Sequence, residues 1–215
     1  MLAAIFLNGA PDSETLIEAV AKRAALIVAA DGGARHALAA GIVPDLIVGD
    51  MDSLGEDLAR EAEQRGSSLQ RHPARKDKMD GHLAALAAGD LGATAADFLC
   101  AAGGKPGAVF AVPHILLAAE RTGMRSTVVA DWGRMFVLEA GSRVVEGASG
   151  DSVSVFPLSG LATGVTLEGM AYPLHDANLE FGDTLGFHNE LTGREAKVSV
   201  ESGALLMIQE NTEGP

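Results

Sequence analysis

The strongest constraint on the fold is a change in sequence pattern partway along the chain. In the first part, short apolar runs typical of buried strands alternate with segments of helical periodicity. This alternation favours a parallel sheet covered by helices. After Met135 the runs are short, turn residues separate them closely, and no helical period remains. The second pattern is typical of a small all-β sandwich or barrel.

The pattern predicts an N-terminal parallel-sheet, Rossmann-like α/β domain over residues 1–140 and a small β-sandwich over residues 141–215. Strands are expected in the first part at residues 2–7, 24–30, 46–48, 97–102 and 126–130, with helices at 13–22, 34–40, 55–64, 80–88 and roughly 109–121. Strands are expected in the second part at 135–139, 143–146, 152–157, 165–167, 184–187, 196–200 and 204–209. Ser53 with Glu56 suggests a capping box before the third helix.

Composition narrows the class of protein. The net charge of −13 argues against a nucleic-acid partner, because such binding depends on Lys and Arg at the phosphates. The single cysteine, Cys100, excludes an internal disulfide framework and fits a reducing compartment. Residues 1–7 resemble a first strand more than a signal peptide, and no stretch approaches the length of a membrane span. A cytoplasmic protein with no membrane partner is therefore expected.

The segment from Pro44 to Leu54 reads P-D-L-I-V-G-D-M-D-S-L and follows the pattern of a strand that ends at a ligand site. Side chains two residues apart on an extended chain point the same way, so Asp50 and Asp52 should present their carboxylates together. Ligands bind beyond the carboxyl ends of strands in open α/β sheets. Paired carboxylates there would hold Mg²⁺ against phosphates. Helix capping explains Ser53 but neither aspartate.

Two further clusters follow the same logic. Asp31-Gly32-Gly33 lies between a strand and a helix, where glycines admit a ligand and the helix N-terminus offers amides to a phosphate. A tight turn with Asp31 as a helix cap is the alternative. Asp77 and Asp80, beside Lys76, are spaced to share one face of a starting helix, although a solvated charged loop has the same pattern. Four of the six histidines, His36, His72, His114 and His175, show no metal-ligand spacing.

The ordered motifs A-D-G-G-A (30–34), P-D-x-I-x-G-D-x-D-S-L (44–54) and K-D-x-x-D (76–80), followed by a β-rich end, resemble the thiamine pyrophosphokinase family. The pair Asn8-Gly9 and the segment G-V-T-L-E-G-M-A-Y-P-L (164–174) are also similar to that family. The resemblance covers nearly the whole chain. It implies a homodimer, with the site at the subunit interface, that transfers the pyrophosphoryl group of ATP to the hydroxyl of thiamine and releases AMP.

The resemblance also implies functions for individual residues. Asp50, Asp52 and Asp80 would hold Mg²⁺, while Lys76 and Asp77 would orient the metal or the transferring group. Around ATP, the co-substrate, the resemblance places a larger set: Asn8, Asp31, Gly32, Gly33, Gly103, Gly104 and Lys105. His188 and Asn189 occupy the positions of the family's serine-asparagine pair near thiamine.

Several positions depart from the family pattern. Met79 and His82 replace a threonine and a glutamate of the K-D-x-T-D-x-E motif. After Gly103-Gly104-Lys105, Gly107 and Ala108 stand where an aspartate and a histidine are expected, and Val112 stands for an asparagine. His188 replaces the serine. Two alternatives therefore stay open: a paralogue that binds nucleotide or a thiamine-like ligand without turnover, or a pyrophosphokinase with another alcohol acceptor.

Overall fold

A computed structural model describes residues 1–211, so the end of the predicted second domain, residues 212–215, lies outside the described range. The chain divides into two compact units, Met1–Asp131 and Trp132–Pro215. The division falls before the expected boundary at residue 140, because the run expected at 135–139 belongs to a longer strand that starts at Gly133.

The first unit alternates strands and helices, as expected. Its elements are β1 (Leu2–Phe6), α1 (Glu14–Arg23), β2 (Leu26–Ala30), α2 (Gly33–Ala39), β3 (Leu46–Gly49), α3 (Glu56–Gln64), β4 (Ser68–Arg71), α4 (Asp80–Asp90), β5 (Ala95–Leu99), α5 (Pro106–Arg121) and β6 (Arg125–Ala130). The six strands are parallel in the order β4-β3-β2-β1-β5-β6. The strand order reverses between β1 and β5, which places a crevice at their carboxyl ends.

Burial explains why the central strands are continuous apolar runs. Ala3 to Phe6 of β1 are fully buried, as are Ile47 and Val48 of β3. A parallel sheet covered on both faces leaves no polar face on its inner strands. The sequence gives no such signal for β4, whose exposed residues leave only Leu69 partly buried.

The residues that begin α1 and α3 differ in how well the sequence predicts them. The Ser13 side chain accepts a hydrogen bond from the Leu16 N–H at the start of α1, as an N-cap residue does. The capping box expected at Ser53 is wrong. Gly55, with φ of 86°, precedes α3 without a side-chain cap, and Glu56 pairs instead with Arg71 at the end of β4.

The second unit is antiparallel and β-rich, which confirms the predicted class. Its strands are β7 (Gly133–Glu146), β8 (Ser152–Pro157), β9 (Leu161–Glu168), β10 (Leu174–Glu180), β11 (Asn189–Glu190) and β12 (Glu195–Glu210). β12 pairs with β7 over most of its length, with β9 through its first half and with β8 through its second half. Side chains from both halves enter one apolar core, with Val198, Leu205 and Met207 fully buried.

Some β predictions differ from the structure. Two pairs of predicted strands are each one long strand in the structure. β7 contains the runs expected at 135–139 and 143–146, and β12 contains those expected at 196–200 and 204–209. Residues 184–187 form turns and no strand, and β10 lacks a sequence prediction because its exposed residues dilute the apolar pattern. No helix within residues 1–211 is long and apolar enough to span a membrane.

Candidate active site

The two aspartates after β3 lie on a tight loop and not on a continuation of the strand. Met51 between them has φ of 67° and is only 1% exposed, so the loop turns around its buried side chain. The Asp52 N–H donates to Asp50 Oδ1 over 3.3 Å. The carboxylates therefore come together as predicted, but this turn brings them together and not the alternation of an extended strand.

Asp31 completes an acidic cluster with Asp50 and Asp52. It follows β2 with φ of 44°, and it is 4% exposed. Its Oδ1 accepts from the Leu54 N–H at 3.0 Å and its Oδ2 from the Ser53 N–H at 3.2 Å. One oxygen from each of the three carboxylates lies within 4.8 Å of the other two. The structure places the Asp31 carboxylate beside the other two aspartates, and the nucleotide contact that the resemblance implies for Asp31 stays a prediction.

Burial separates the protonation behaviour of neighbouring carboxyls in the acidic cluster. Burial raises the pKa of Asp31, and the adjacent Asp52 carboxyl raises it further. The hydrogen bonds from the N–H groups of Leu54 and Ser53 lower this pKa but do not cancel the rise. The hydrogen bond with Asp31, and a second one with Ser53, lower the pKa of the exposed Asp52. Of these two carboxyls, Asp31 thus holds a proton more easily and Asp52 is ionised more easily.

Lys76 joins the acidic cluster to the start of α4. Its Nζ lies 2.8 Å from Asp80 Oδ1 and 3.6 Å from Asp50 Oδ2, and its side chain is 14% exposed. Burial alone would lower the pKa of Lys76, but the two carboxylates raise it above its ordinary value. The ammonium group therefore stays charged and neutralises part of the negative charge around it.

Asp80, predicted as the third metal carboxylate, lies next to the acidic cluster and is linked to it through Lys76. Gly49 makes this arrangement possible. A Cβ at Gly49 would lie 2.7 Å from the Asp31 Cβ and 3.2 Å from Asp80 Oδ1. Asp77 is exposed on the loop before α4 and makes no hydrogen bond or ion pair with other described residues. The structure thus gives no contact for the orienting function predicted for Asp77.

The donor set of the acidic cluster fits Mg²⁺. Hard divalent cations prefer oxygen ligands, and carboxylates that supply one oxygen each are ordinary magnesium ligands. Each Asp31 oxygen accepts one backbone N–H and retains a lone pair. The best-grouped set is therefore Asp31, Asp50 and Asp52, which shares two members with the predicted set of Asp50, Asp52 and Asp80.

A crevice of about 250 Å³ opens beside these groups. It lies at the carboxyl ends of β1, β2 and β5, at the point where the strand order reverses. Its polar lining includes Asn8, Asp31, Ser53 and Asp80, and its apolar lining includes Leu7, Met79, Ala108, Val112 and Ile115. The first unit therefore has a ligand-sized space directly beside its carboxylates.

The loop between β5 and α5 borders this crevice. Gly103 and Gly104 have φ of 72° and 76°, and a Cβ on Gly103 would lie 2.6 Å from the Ala10 Cβ. Gly103 lines the crevice, and the exposed Lys105 is the N-cap of the 16-residue helix α5. Pro106 at the start of α5 has no N–H, and the Ala108 N–H donates to the Lys105 carbonyl, so Gly107 is the residue of this first turn whose N–H would remain for a phosphate.

Gly32 and Gly33 allow the start of α2 to pack closely against the end of β1. A Cβ on Gly32 would lie 2.4 Å from Asn8 Nδ2, and a Cβ on Gly33 would lie 2.3 Å from the Phe6 carbonyl oxygen. Both glycines are buried, and neither lines the crevice. Their lack of a side chain admits the end of β1, including Asn8, and the ligand contact that the sequence suggested for them stays a prediction.

His188 and Asn189 belong to the second unit. His188 is exposed with φ of 57°, and its N–H donates to Ser154 Oγ at 3.1 Å. Asn189 is 3% exposed. Its Oδ1 accepts from the Tyr172 N–H at 2.9 Å, and its Nδ2 donates to the Tyr172 carbonyl at 2.7 Å. The Asn189 amide therefore fixes the backbone of Tyr172, whose ring is exposed.

Comparison with known proteins identifies the family. The family model described as "Thiamin pyrophosphokinase, catalytic domain" matches residues 17–128, about half of the chain. The model described as "Thiamin pyrophosphokinase, vitamin B1 binding domain" matches residues 143–205. The chain belongs to the thiamin pyrophosphokinase family.

Individual members of this family are similar over most of their length. A thiamine pyrophosphokinase of Bacillus subtilis (strain 168) is 26% identical over 185 residues, which cover 86% of each chain. The crystal structure of a thiamin pyrophosphokinase from Geobacillus thermodenitrificans has a TM-score of 0.82 at 27% identity, with 99% of each chain covered. The crystal structure of thiamine pyrophosphokinase from Bacillus subtilis also has a TM-score of 0.82, at 24% identity. The match covers 99% of this chain and 100% of the Bacillus subtilis chain.

The two family models divide the site residues between them. The catalytic-domain match contains the acidic cluster, Lys76, Asp80 and the loop after β5, and the vitamin B1 binding match contains His188 and Asn189. Asn8 lies outside both matched ranges, although it lines the crevice.

Positions that depart from the family pattern occupy distinct places. Ala108 and Val112 line the crevice, and Met79 lies at it with 46% of its surface exposed. His82 is half-buried in α4, where burial and the nearby Lys78 lower its pKa. The crevice of this family member is therefore more apolar than the family motif predicts.

Sequence reasoning missed Arg35. This residue of α2 donates hydrogen bonds from Nε to the Ser53 carbonyl and from Nη2 to the Leu54 carbonyl. Because it contacts backbone carbonyls across the fold, no motif or spacing in the sequence points to it.

Proposed function

We propose that this family member is a Mg²⁺-dependent thiamine diphosphokinase, which transfers the pyrophosphoryl group of ATP to the hydroxyl of thiamine and releases AMP. The acidic cluster beside the crevice is the observation that carries this proposal. Family membership supplies the reaction, and the cluster supplies the carboxylates that such a reaction needs.

In this proposal Asp31, Asp50 and Asp52 hold Mg²⁺, with Asp80 beside them. Bound Mg²⁺ supplies charge neutralisation for the phosphates, which is a major requirement of phosphoryl transfer. Asp31 accepts two backbone hydrogen bonds and so keeps a fixed orientation. The lowered pKa of Asp52 keeps its carboxylate ionised and therefore ready to bind a cation.

Lys76 is the proposed electrostatic group for the transferring pyrophosphoryl unit. Its ammonium group contacts both Asp50 and Asp80, so it lies between the loop after β3 and the start of α4. A preorganised charge of this kind stabilises developing negative charge without reorganisation. The loop of Gly103, Gly104 and Lys105 would receive other phosphate oxygens, together with the start of α5.

For the acceptor, we propose that the second unit contributes to thiamine binding through the exposed ring of Tyr172 and the exposed His188. Asn189 would act indirectly, because both ends of its amide already bind the Tyr172 backbone. A homodimer in the cytoplasm completes the proposal. Exposed apolar side chains of the second unit support the dimer, since Phe181, Leu185 and Phe187 are each more than half exposed.

An assay of AMP release tests the function. Purified protein with ATP, thiamine and Mg²⁺ should form AMP and thiamine diphosphate in equal amounts, and omission of either thiamine or Mg²⁺ should stop the reaction. Asp31→Asn and Asp52→Asn should each reduce the rate by at least about 100-fold, the usual scale for loss of an electrostatic group. Asp57→Asn, on the exposed face of α3, is the matched control and should retain activity. Activity without Mg²⁺, or full activity in both variants, would overturn the proposal.

Sedimentation analysis tests the dimer separately. Wild type should sediment as a dimer, and Phe187→Asp with Leu185→Asp should shift it to a monomer. A monomeric wild type that is fully active would remove the dimer from the proposal and leave the reaction in place.

A further inference from the structure

Arg35 reaches from α2 to the loop that carries two of the clustered carboxylates. Its Nε donates to the Ser53 carbonyl oxygen at 2.8 Å, and its Nη2 donates to the Leu54 carbonyl oxygen. The N–H groups of the same two residues donate to Asp31. Asp31 and Arg35 are four residues apart, about one helical turn. From the start of α2 they therefore bind both the N–H groups and the carbonyl oxygens of Ser53 and Leu54.

We infer that Arg35 is a positioning residue that fixes the loop of residues 50–55, so that Asp50 and Asp52 face Asp31. The inference rests on the proposed metal site. Arg35 is not a ligand, because a guanidinium has no acceptor atom. It acts on the carboxylates only through the backbone that carries them.

The loop needs such support for two reasons. Three carboxylates whose oxygens lie within 4.8 Å repel one another when ionised, and this repulsion favours spreading of the loop. The backbone also has positive φ at Met51, a conformation that costs a non-glycine residue free energy and must be held by its surroundings. A Cβ at Gly55 would lie 3.6 Å from Arg35 Nη2, so the guanidinium lies directly over this turn.

The fork shape of the guanidinium explains why an arginine is required. Its fixed N–H groups bind two neighbouring carbonyls at once, whereas an ammonium group is a compact point charge. Arg35→Lys therefore keeps the positive charge and removes the two-point contact. Arg35→Gln removes the charge as well.

Binding of Mn²⁺, measured by electron paramagnetic resonance with Mn²⁺ as the probe in place of Mg²⁺, tests the inference without any turnover. Both Arg35→Lys and Arg35→Gln should weaken Mn²⁺ binding about 10-fold or more, the scale seen for residues that orient metal ligands. In the AMP assay the apparent KM for Mg²⁺ should rise by a similar factor, with a smaller change in kcat. Arg60→Gln, an exposed arginine of α3, is the matched control and should bind Mn²⁺ as wild type does.

The outcomes separate this inference from the proposed function. Tight Mn²⁺ binding by wild type and equal binding by both Arg35 variants would overturn the positioning of the loop by Arg35 and leave the metal site intact. Failure of wild type itself to bind Mn²⁺ would overturn the metal site, and this inference with it. Circular dichroism checks that each variant is folded, and if Arg35→Gln is unfolded, the result for Arg35→Lys decides.

Discussion

Lys76 lies on the loop before α4 and forms an ion pair with Asp80, the first residue of that helix, with 2.8 Å between Nζ and Oδ1. The same Nζ lies 3.6 Å from Asp50 Oδ2, so one ammonium group is shared between a carboxylate of the loop after β3 and one at the start of α4. A bound divalent cation and Lys76 therefore compete for the same negative charge.

Replacing Lys76 by Met should separate metal binding from turnover. Removal of the ammonium leaves Asp50 and Asp80 unneutralised, so Mn²⁺ affinity should rise or stay equal, measured by electron paramagnetic resonance. The value of kcat should fall by about 100-fold or more, because a charge that stabilises the transferring group is lost. Lys78→Met, an exposed lysine on the same loop, is the control and should change neither quantity. Weaker Mn²⁺ binding in Lys76→Met would contradict the competition.

Gly49→Ala should destabilise the fold. The added Cβ would meet the Asp31 Cβ at 2.7 Å and Asp80 Oδ1 at 3.2 Å, so two loops would have to move apart. Overpacking of this kind costs roughly 1–3 kcal/mol in the free energy of unfolding, measured by urea denaturation. Gly89→Ala is the control: within α4 its Cβ has no neighbour within 4 Å, and alanine should stabilise the helix by about 0.5–1 kcal/mol.

Asp12 should make stability depend on pH. Its Oδ2 accepts a hydrogen bond of 2.6 Å from the Cys100 N–H, and burial raises the pKa of its carboxyl above the ordinary value of 3.8. The unfolded chain then loses its proton at a lower pH than the folded chain, so the contribution of Asp12 to stability falls as pH rises through the raised pKa. Asp12→Asn keeps an acceptor oxygen and does not titrate.

The difference in the free energy of unfolding between wild type and Asp12→Asn, from urea denaturation at several pH values, checks this dependence. Wild type should lose stability relative to the variant as pH rises above the ordinary value for aspartate. A difference that does not change with pH, or that grows in favour of wild type, would count against a raised pKa at Asp12.

Cys100 should be a slow thiol in the folded protein. It is fully buried, and burial raises its pKa to about 11. At about pH 8 roughly one thiol in a thousand is then ionised, and the thiolate is the reactive form. Reaction with a disulfide reagent should be far slower in the native protein than in concentrated guanidinium, where one thiol per chain should titrate. Rapid native modification would show that the end of β5 opens readily.

Sequence periodicity predicted those helices and strands that bury one face or all of their side chains in the core. β1 and β3 are continuous apolar runs because helices cover both faces of the central sheet. β4 lies at the sheet edge, with Leu69 its only apolar side chain, so it carries too little signal. Residues 184–187 show the opposite failure, since an apolar pair there lies exposed on turns.

At the site, the sequence predicted the types of residues better than their partners. The aspartates after β3 were recognisable because glycine and an apolar run frame them. The membership of Asp31 in the acidic cluster depends on adjacent parallel strands, and the contacts of Arg35 depend on backbone carbonyls of another segment. Such relationships exist only after the chain has folded, and one sequence carries no local pattern for them.

The pairing of β12 has a consequence for synthesis of the chain on the ribosome. β7, β8 and β9 each pair with β12, which comes last among the strands of the second unit. These three strands emerge well before residues 195–210, so their apolar inner faces stay uncovered during that interval. The strands of the first unit all precede Asp131, so their pairing with one another does not wait for β12. Slow translation between residues 168 and 195 should therefore increase aggregation of nascent chains.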